Sequence, residues 1–411
     1  MRWLSTKPVG NFSKNETSQV DQLTAAKVGH ALIATHNLAD YAGSEIFTLE
    51  LATALREMGW EVLVAALLPG EPMASEFRKQ GFRIVDMLTE ASAISNAKFD
   101  LAWIHHTPVF QELLLAQKIE ATTVIFCSLS HFEPLEAVPS NREHLDLLLA
   151  HSVENRNFIT KELGLEEDQV IVFPNAVPNV YWDCSKDIHP HLLMRLAIIS
   201  NHPPVEVLRM AEILQGNGVE VIHIGTGGNQ ILMSPSLLLN WDAVITIGKT
   251  VPYCFSLKVP VYCYDHFGGP GWLNEDNFEL ASQNNFSGRG FAKKTPEVIA
   301  KEIVNGYQES LPRLEAFRTH AANCHNLGKN LQLLLSRPRI SAPKQAALAD
   351  DIQTSKQHAQ YIRLAKTLRV REAELSARDK EISRVKSTLS WRLTAPFRVA
   401  YNFLLRTIGG R

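Results

Sequence analysis

Three short glycine-bearing stretches have the residue types for phosphate chemistry. The first is Gly248-Lys249-Thr250, which closes the apolar run "DAVITI". A nucleotide-binding P-loop ends in the same three letters, but it needs GxxxxGK[ST], whose first glycine turns the chain around the phosphates. Counting back from Gly248 reaches Ala243, inside the apolar run, so no loop precedes the lysine and that cradle cannot form. What is left is a lysine ammonium and backbone N–H groups at a strand end, a combination suited to a diphosphate. The other two stretches are Gly225-Thr226-Gly227-Gly228 and Gly268-Gly269-Pro270-Gly271, each just after another apolar run. A single glycine turn commonly does no more than turn the chain. Three of them at strand ends of one domain favour a nucleotide-binding face. For Lys249 itself, pairing with nearby acids is an equal reading.

Strands and helices must hold these stretches in place. "VGHALIAT" reads as a buried strand, and "SEIFTLELATALREMGW" as the next helix. In that helix Phe47, Leu51, Ala54, Leu55 and Met58 recur at helical spacing, with Ser44 as cap and Gly59 as stop. "EVLVAALL" completes a β-α-β unit, and "FRIVD", "FDLAWIHH", "TTVIFCS", "LDLLLAHS" and "QVIVFPN" continue the alternation. A turn-rich break at "NAVPNVYWDCSKDIHPH" reads as a hinge, after which "RLAIIS", a helix near 204–216, "VEVIHIG", "DAVITIG" and "VPVYCYD" restart the pattern. Near-continuous apolar strands between helices imply parallel sheets covered on both faces. The expectation is an α/β protein of two Rossmann-like, doubly wound domains facing a cleft.

The expected organisation is a leader at 1–26, a first domain at 27–185, a second at 186–335, and a linker at 336–345. A charged helix at 346–389 and a basic aromatic tail at 390–411 follow. In the helix Tyr361, Leu368, Leu375, Ile382 and Leu389 are spaced by sevens, but Arg371 and Arg378 occupy the companion column before Val385. Such a lone stripe more often packs on its own protein, and a dimer through this helix is held open. Residues 382–411 hold six Lys or Arg and no Asp or Glu, interleaved with Trp391, Phe397, Tyr401 and Phe403. That mix suits a helix in an anionic membrane interface, with docking on an acidic face of the protein as the plainer alternative.

A formal net charge of -2 over 411 residues leaves no basic excess for nucleic acid. The five cysteines form no CxxC and no zinc spacing, which suits a reducing cytosol. No signal peptide and no membrane-length apolar run is read at sequence level. The expected place is the cytoplasm, peripheral at the inner face of the plasma membrane.

Several phrases resemble the bacterial glycosyltransferases of the GT-B fold, in particular the retaining, family-4-like transferases of cell-envelope polysaccharides. They are "HNLADYAGSEIFTLELATALREMGWEVLV", "FDLAWIHHTP", "LAHSVENRNFI" and "VIVFPNAVP", then "AIISNHPPVEVL", "ITIGKTVPYCFSLKVPVYCYDHFGGPGWL" and "NNFSGRG". "STLSWRLTAPFR" is similar to tails on lipopolysaccharide and capsule enzymes of this kind. The resemblance implies a nucleotide-sugar donor, a glycan or lipid-linked acceptor, no cofactor and no metal. It places Gly43 at the glycine that faces the donor phosphates, and His105 and His106 at the cleft. The sequence also departs from the family. Asn201 and His202 stand where the family has an Arg and a Lys for the diphosphate, Ile245 and Tyr253 replace its glutamate pair, and Cys127 replaces the histidine ending its fifth strand.

Lys249 then becomes the candidate to replace the missing donor cations, with Thr250 and the turns at Gly43, Gly225, Gly227, Gly268 and Gly269 beside it. His106 and His131 are the catalytic candidates and His202 a polar contact, because imidazole titrates near neutrality. For each one alone, a structural histidine is the plainer reading. Asp265 and His266 are placed on donor hydroxyls, against an Asp that merely caps its turn. Arg289 is placed on phosphate or carboxylate, and Asn175 on the hinge or the donor. Two functions from different classes follow: a glycosyltransferase, or a non-catalytic GT-B protein binding glycan or nucleotide in a polysaccharide assembly complex.

Overall fold

The computed structural model describes residues 28–337, 352–388, 391, 393 and 394. The expected leader, positions 338–345 of the linker and most of the tail lie outside the described residues.

The first half builds seven parallel strands. They are β1 (His30–Leu38), β2 (Glu61–Pro69), β3 (Ile84–Asp86), β4 (Lys98–Ile104), β5 (Glu120–Ser128), β6 (Leu147–Ala150) and β7 (Ile171–Val172). They lie in the order β3-β2-β1-β4-β5-β6-β7. Helices α1 (Gly43–Glu57), α2 (Met73–Lys79), α3 (Thr107–Gln111) and α4 (Val153–Leu163) connect them. Central strands are apolar on both faces because helices cover both; Ala31, Leu32, Ile33 and Ala34 of β1 are all 0% exposed. Trp103 at the end of β4 anchors this core edge-on to Phe173, their centroids 5.4 Å apart.

The second sheet holds β8 (Arg195–Ile199), β9 (Glu220–Ile224), β10 (Ala243–Thr246), β11 (Val261–Asp265) and β12 (Gly268–Trp272), in the order β12-β11-β10-β8-β9. Around it lie α5 (Val205–Gly216), α6 (Pro235–Leu239), α7 (Thr250–Leu257), α8 (Phe278–Gln283), α9 (Pro296–Ser310) and α10 (Leu314–Cys324), and α11 (Leu327–Leu335) follows in the chain.

Three local expectations change. The Gly268–Gly271 stretch is a strand, β12, paired antiparallel to β11, and not a phosphate turn. Its glycines allow close backbone approach. A Cβ on Gly269 would lie 2.2 Å from the Cys263 carbonyl, and one on Gly268, at φ +125, would lie 2.5 Å from that of Ala292. Next, α11 belongs by packing to the first domain: Leu327, Leu331 and Leu334 sit in the core that Phe47 and Trp103 share. The chain returns there beside the hinge, where the Val177 N–H donates to the His325 carbonyl (2.6 Å) and the Leu327 N–H to the Val177 carbonyl (3.0 Å). Finally, Ser44 does not cap α1. The N-cap is Ala42, and the Ser44 hydroxyl donates instead to Glu45 Oε2 (2.7 Å).

A separate helix, α12 (Ile352–Ser387), carries Tyr361, Leu368, Leu375 and Ile382 of the stripe of sevens, the last three 56%, 60% and 48% exposed, while Leu389 lies outside the described residues. No described helix is long and apolar enough to cross a membrane.

Candidate functional site

Doubly wound sheets bind ligands beyond the carboxyl ends of their strands, where the strand order reverses. In the first sheet the reversal lies between β1 and β4, so Thr35-His36 and His105-His106 line it. In the second it lies between β8 and β10, at Ser200-Asn201 and Ile247-Gly248-Lys249.

His106, two residues after the end of β4, has a positive φ (+73) that side chains rarely adopt, and it is buried. Its Nδ1 accepts from the His36 N–H (3.2 Å) and lies 3.4 Å from the Thr35 hydroxyl. That leaves the ring proton on Nε2, which points at Glu136 Oε1, 3.6 Å away. Burial, with His105 and His36 adding to it, holds His106 down at about 3, a neutral imidazole. Burial pushes Glu136 up to about 8, against an N–H bond donated by Leu129 at 2.5 Å. At neutral pH an imidazole and a carboxyl thus face each other uncharged. Beside them Glu45 is also raised by burial, with Asn37 donating to it at 2.9 Å.

Across the crevice, Asn201 joins the two domains. Its Oδ1 accepts the Thr226 N–H (3.1 Å), and its Nδ2 donates to the Tyr41 carbonyl in the loop before α1 (3.3 Å). Gly225 makes this turn feasible. Its φ is +135, and a Cβ there would lie 2.1 Å from the Ser200 carbonyl oxygen. Lys249 stands just before α7, and its ammonium forms an ion pair with Glu50 of α1. The Tyr253 hydroxyl donates to the same carboxylate. The Lys249 ammonium also lies 5.2 Å from the Phe47 ring centroid and 5.4 Å from that of Tyr253. Arg289 forms a bidentate pair with Glu154 of α4, its Nε 2.7 Å from Oε1.

No protein-family model matches this sequence, and no curated protein does. Solved structures do match. A glycosyltransferase from Rickettsia africae superposes with a TM-score of 0.51 at 12% identity, covering 75% of this chain and 97% of its own. The fold is GT-B. The glycotransferase of kitacinnamycin matches with a TM-score of 0.47 at 13% identity, over 75% of this chain and 99% of its own. The S. aureus MnaA–UDP co-structure matches with 0.45 at 10% identity, over 77% and 100%. At such identities the likeness is one of fold, and function has to be argued from the site.

Within the GT-B frame, the sequence candidates divide into three groups. His106, Gly43, Gly225, Gly227, Lys249 and Thr250 lie at or directly beside the two reversal points. Gly43 is exposed, with nothing within 4 Å of where a Cβ would stand. His131, His266 and Arg289 gather further along the crevice, in an aromatic cluster. Asp265, Gly268, Gly269, Asn175 and His202 have local roles. Asp265 Oδ1 accepts the Phe267 N–H (2.8 Å), the turn-capping alternative. Asn175 is at the hinge, donating to Asn285 Oδ1 (2.8 Å) and receiving the His325 ring proton on its carbonyl (2.6 Å). His202 is exposed, and its N–H donates to the Ser200 hydroxyl (3.1 Å). Among the described residues, no three His, Cys, Asp or Glu are grouped to hold a metal.

Glu136, Glu50 and Glu154 were not singled out in the sequence, and each is the partner that defines a candidate. Only Glu50 left a signal. It lies three residues after Phe47 and four before Ala54, so a carboxylate occupies the apolar stripe of α1.

Proposed function

We propose that this GT-B protein is a glycosyltransferase. It moves a sugar from a nucleotide-sugar donor to a lipid-linked or polysaccharide acceptor in bacterial envelope glycan assembly. The resemblance adds the retaining type and the lipopolysaccharide or capsule branch. The observation that carries the reading is the buried His106–Glu136 pair at the reversal point of the first sheet, opposite the Asn201–Thr226 turn of the second. Raised to about 8, Glu136 is protonated at neutral pH; its ionised fraction, growing as pH rises towards 8, is the base that takes up the proton an acceptor hydroxyl loses, with His106 Nε2 3.6 Å away. The tip of the Gly225–Gly228 turn at Gly227, where a Cβ would meet nothing within 4 Å, and the open backbone at Gly43 are the donor-phosphate side. The test is a metal-free screen of nucleotide sugars that reads thermal stabilisation and nucleotide release. One donor should do both, and Glu136→Gln should suppress release while keeping stabilisation.

A second reading has its own observation. Both cations assigned to the donor, Lys249 and Arg289, are held by carboxylates of the first domain. Silence across the panel from a folded protein would make this a non-catalytic glycan- or nucleotide-binding partner. We also place the protein at the inner membrane face through residues 390–411. Deleting them should release it from anionic liposomes with donor hydrolysis intact. If the shortened chain still pellets with the liposomes, the tail is not the anchor.

A further inference from the structure

Three phenylalanines beside the crevice are exposed: Phe132 at 58%, Phe158 at 44% and Phe267 at 40%. Scattered singly they would need no explanation, but they form one strip. The His131 ring lies between two of them, 4.7 Å from Phe158 in a stacked arrangement and 3.9 Å from Phe132. Phe132 approaches Phe267 at 6.4 Å, and Phe267 lies 4.0 Å from His266. The Arg289 guanidinium sits over both facing rings, 5.0 Å from Phe132 and 5.7 Å from Phe267, while Glu154 holds its other edge. Phe132 and His131 belong to the loop after β5 that also carries Glu136, and Phe267 follows β11. The strip therefore lies at the carboxyl ends of strands from both sheets, on the same loop as Glu136 of the candidate proton-handling pair.

We infer that this strip is a carbohydrate platform, on which pyranose rings of an acceptor glycan lie across Phe132 and Phe267. A pyranose offers an apolar face of C–H groups to a ring and a rim of hydroxyls to the groups around it. The strip has the matching layout, with exposed aromatic faces edged by the Arg289–Glu154 pair and two imidazoles. An acyl chain fits less well. Covering the ion pair with hydrocarbon would desolvate it without returning any hydrogen bond, whereas hydroxyls can bond to both partners. The inference rests on the transferase reading for the word acceptor, but not for the binding itself.

The experiment uses the full chain on an array of immobilised bacterial oligosaccharides and polysaccharides, with Phe132→Ala, Phe267→Ala and Phe132→Trp alongside. The side chains are exposed, so all three variants should melt as the parent does. The parent should bind a subset of glycans, each alanine variant should lose about tenfold in affinity, and the tryptophan variant should keep it. Equal binding by the alanine variants, or no glycan bound by the parent, overturns the platform. So does Phe132-dependent binding to phosphatidylglycerol vesicles that carry no glycan. Metal-free donor hydrolysis, measured in parallel, separates the two readings. Glycan binding through Phe132 with no donor hydrolysed leaves the platform standing and sinks the transferase; donor hydrolysis with no glycan binding does the reverse.

Discussion

Lys249, at the head of α7, and Glu50, in the middle of α1, form a buried ion pair that joins the two domains, with both side chains about 11–12% exposed. Tyr253 donates to the same carboxylate and stacks on Tyr181 at 4.4 Å. The lysine of the Gly-Lys-Thr stretch is therefore engaged with a carboxylate in this structure.

That pairing makes a prediction about stability. Lys249→Met leaves the Glu50 carboxylate buried and unpaired, so it should cost on the order of 3–5 kcal/mol in denaturant unfolding. Adding Glu50→Leu should recover most of the loss, because an apolar pair of similar size no longer buries a lone charge. A lysine that served the donor phosphates would behave otherwise: Lys249→Met would raise the donor KM and leave the unfolding midpoint where it was.

Two glycines separate backbone need from ligand space. Gly225→Ala combines φ +135 with a Cβ 2.1 Å from a carbonyl oxygen, so it should destabilise by roughly 2 kcal/mol or more. Gly43→Ala meets nothing and sits in a helix, so its melting temperature should match or exceed the parent's. If Gly43 faces donor phosphate, the same variant should raise the donor KM. An unchanged KM removes Gly43 from the site.

Stability should fall on both sides of neutrality. Burial lowers His105 to about 4 and His106, His151 and His320 to about 3, all from an ordinary value of 6.5. These groups stay neutral when folded while the unfolded chain takes up protons, so their contribution is present above pH 6.5 and lost as pH falls below it. Glu136 works in the opposite direction. Its folded value of about 8 exceeds the ordinary 4.5, so its contribution is full below pH 4.5 and lost as pH rises through 8. Unfolding free energies measured from pH 4 to 9 should flatten on the alkaline side alone in Glu136→Gln. An unchanged alkaline limb would show that Glu136 is ionised at neutral pH.

Arg289→Lys should not be conservative. Lysine cannot reproduce the two parallel bonds to Glu154 or the planar contact over Phe132 and Phe267. Amide exchange in 284–291 and at the start of α4 should speed up in the variant. Parent-like protection would mean that the pair does not hold these loops together.

Much of the fold was readable because its signals are local. The expected helix at 204–216 is α5 at 205–216, and each apolar run of the first domain became a strand of its sheet. Periodicity and turn residues report whether a position is buried, and burial is what strands and helices need. They do not report which surface covers it. This is why Gly268–Gly271 read as a turn, when its glycines answer to carbonyls of Cys263 and Ala292. It is also why α11 read as part of the second domain, although its leucines fill the first.

The sequence by itself determined the two doubly wound halves, the hinge between them, and a set of polar residues at the strand ends. Tertiary structure alone decided what those residues touch. Glu154 meets Arg289 across 135 residues and Glu50 meets Tyr253 across 203, and no local pattern encodes a partner so distant in the chain. Charge partners are chosen by the packing of one sheet's helices against the other's loops. That packing set Lys249 and Arg289 into ion pairs between the domains, and it brought an unnoticed Glu136 to His106.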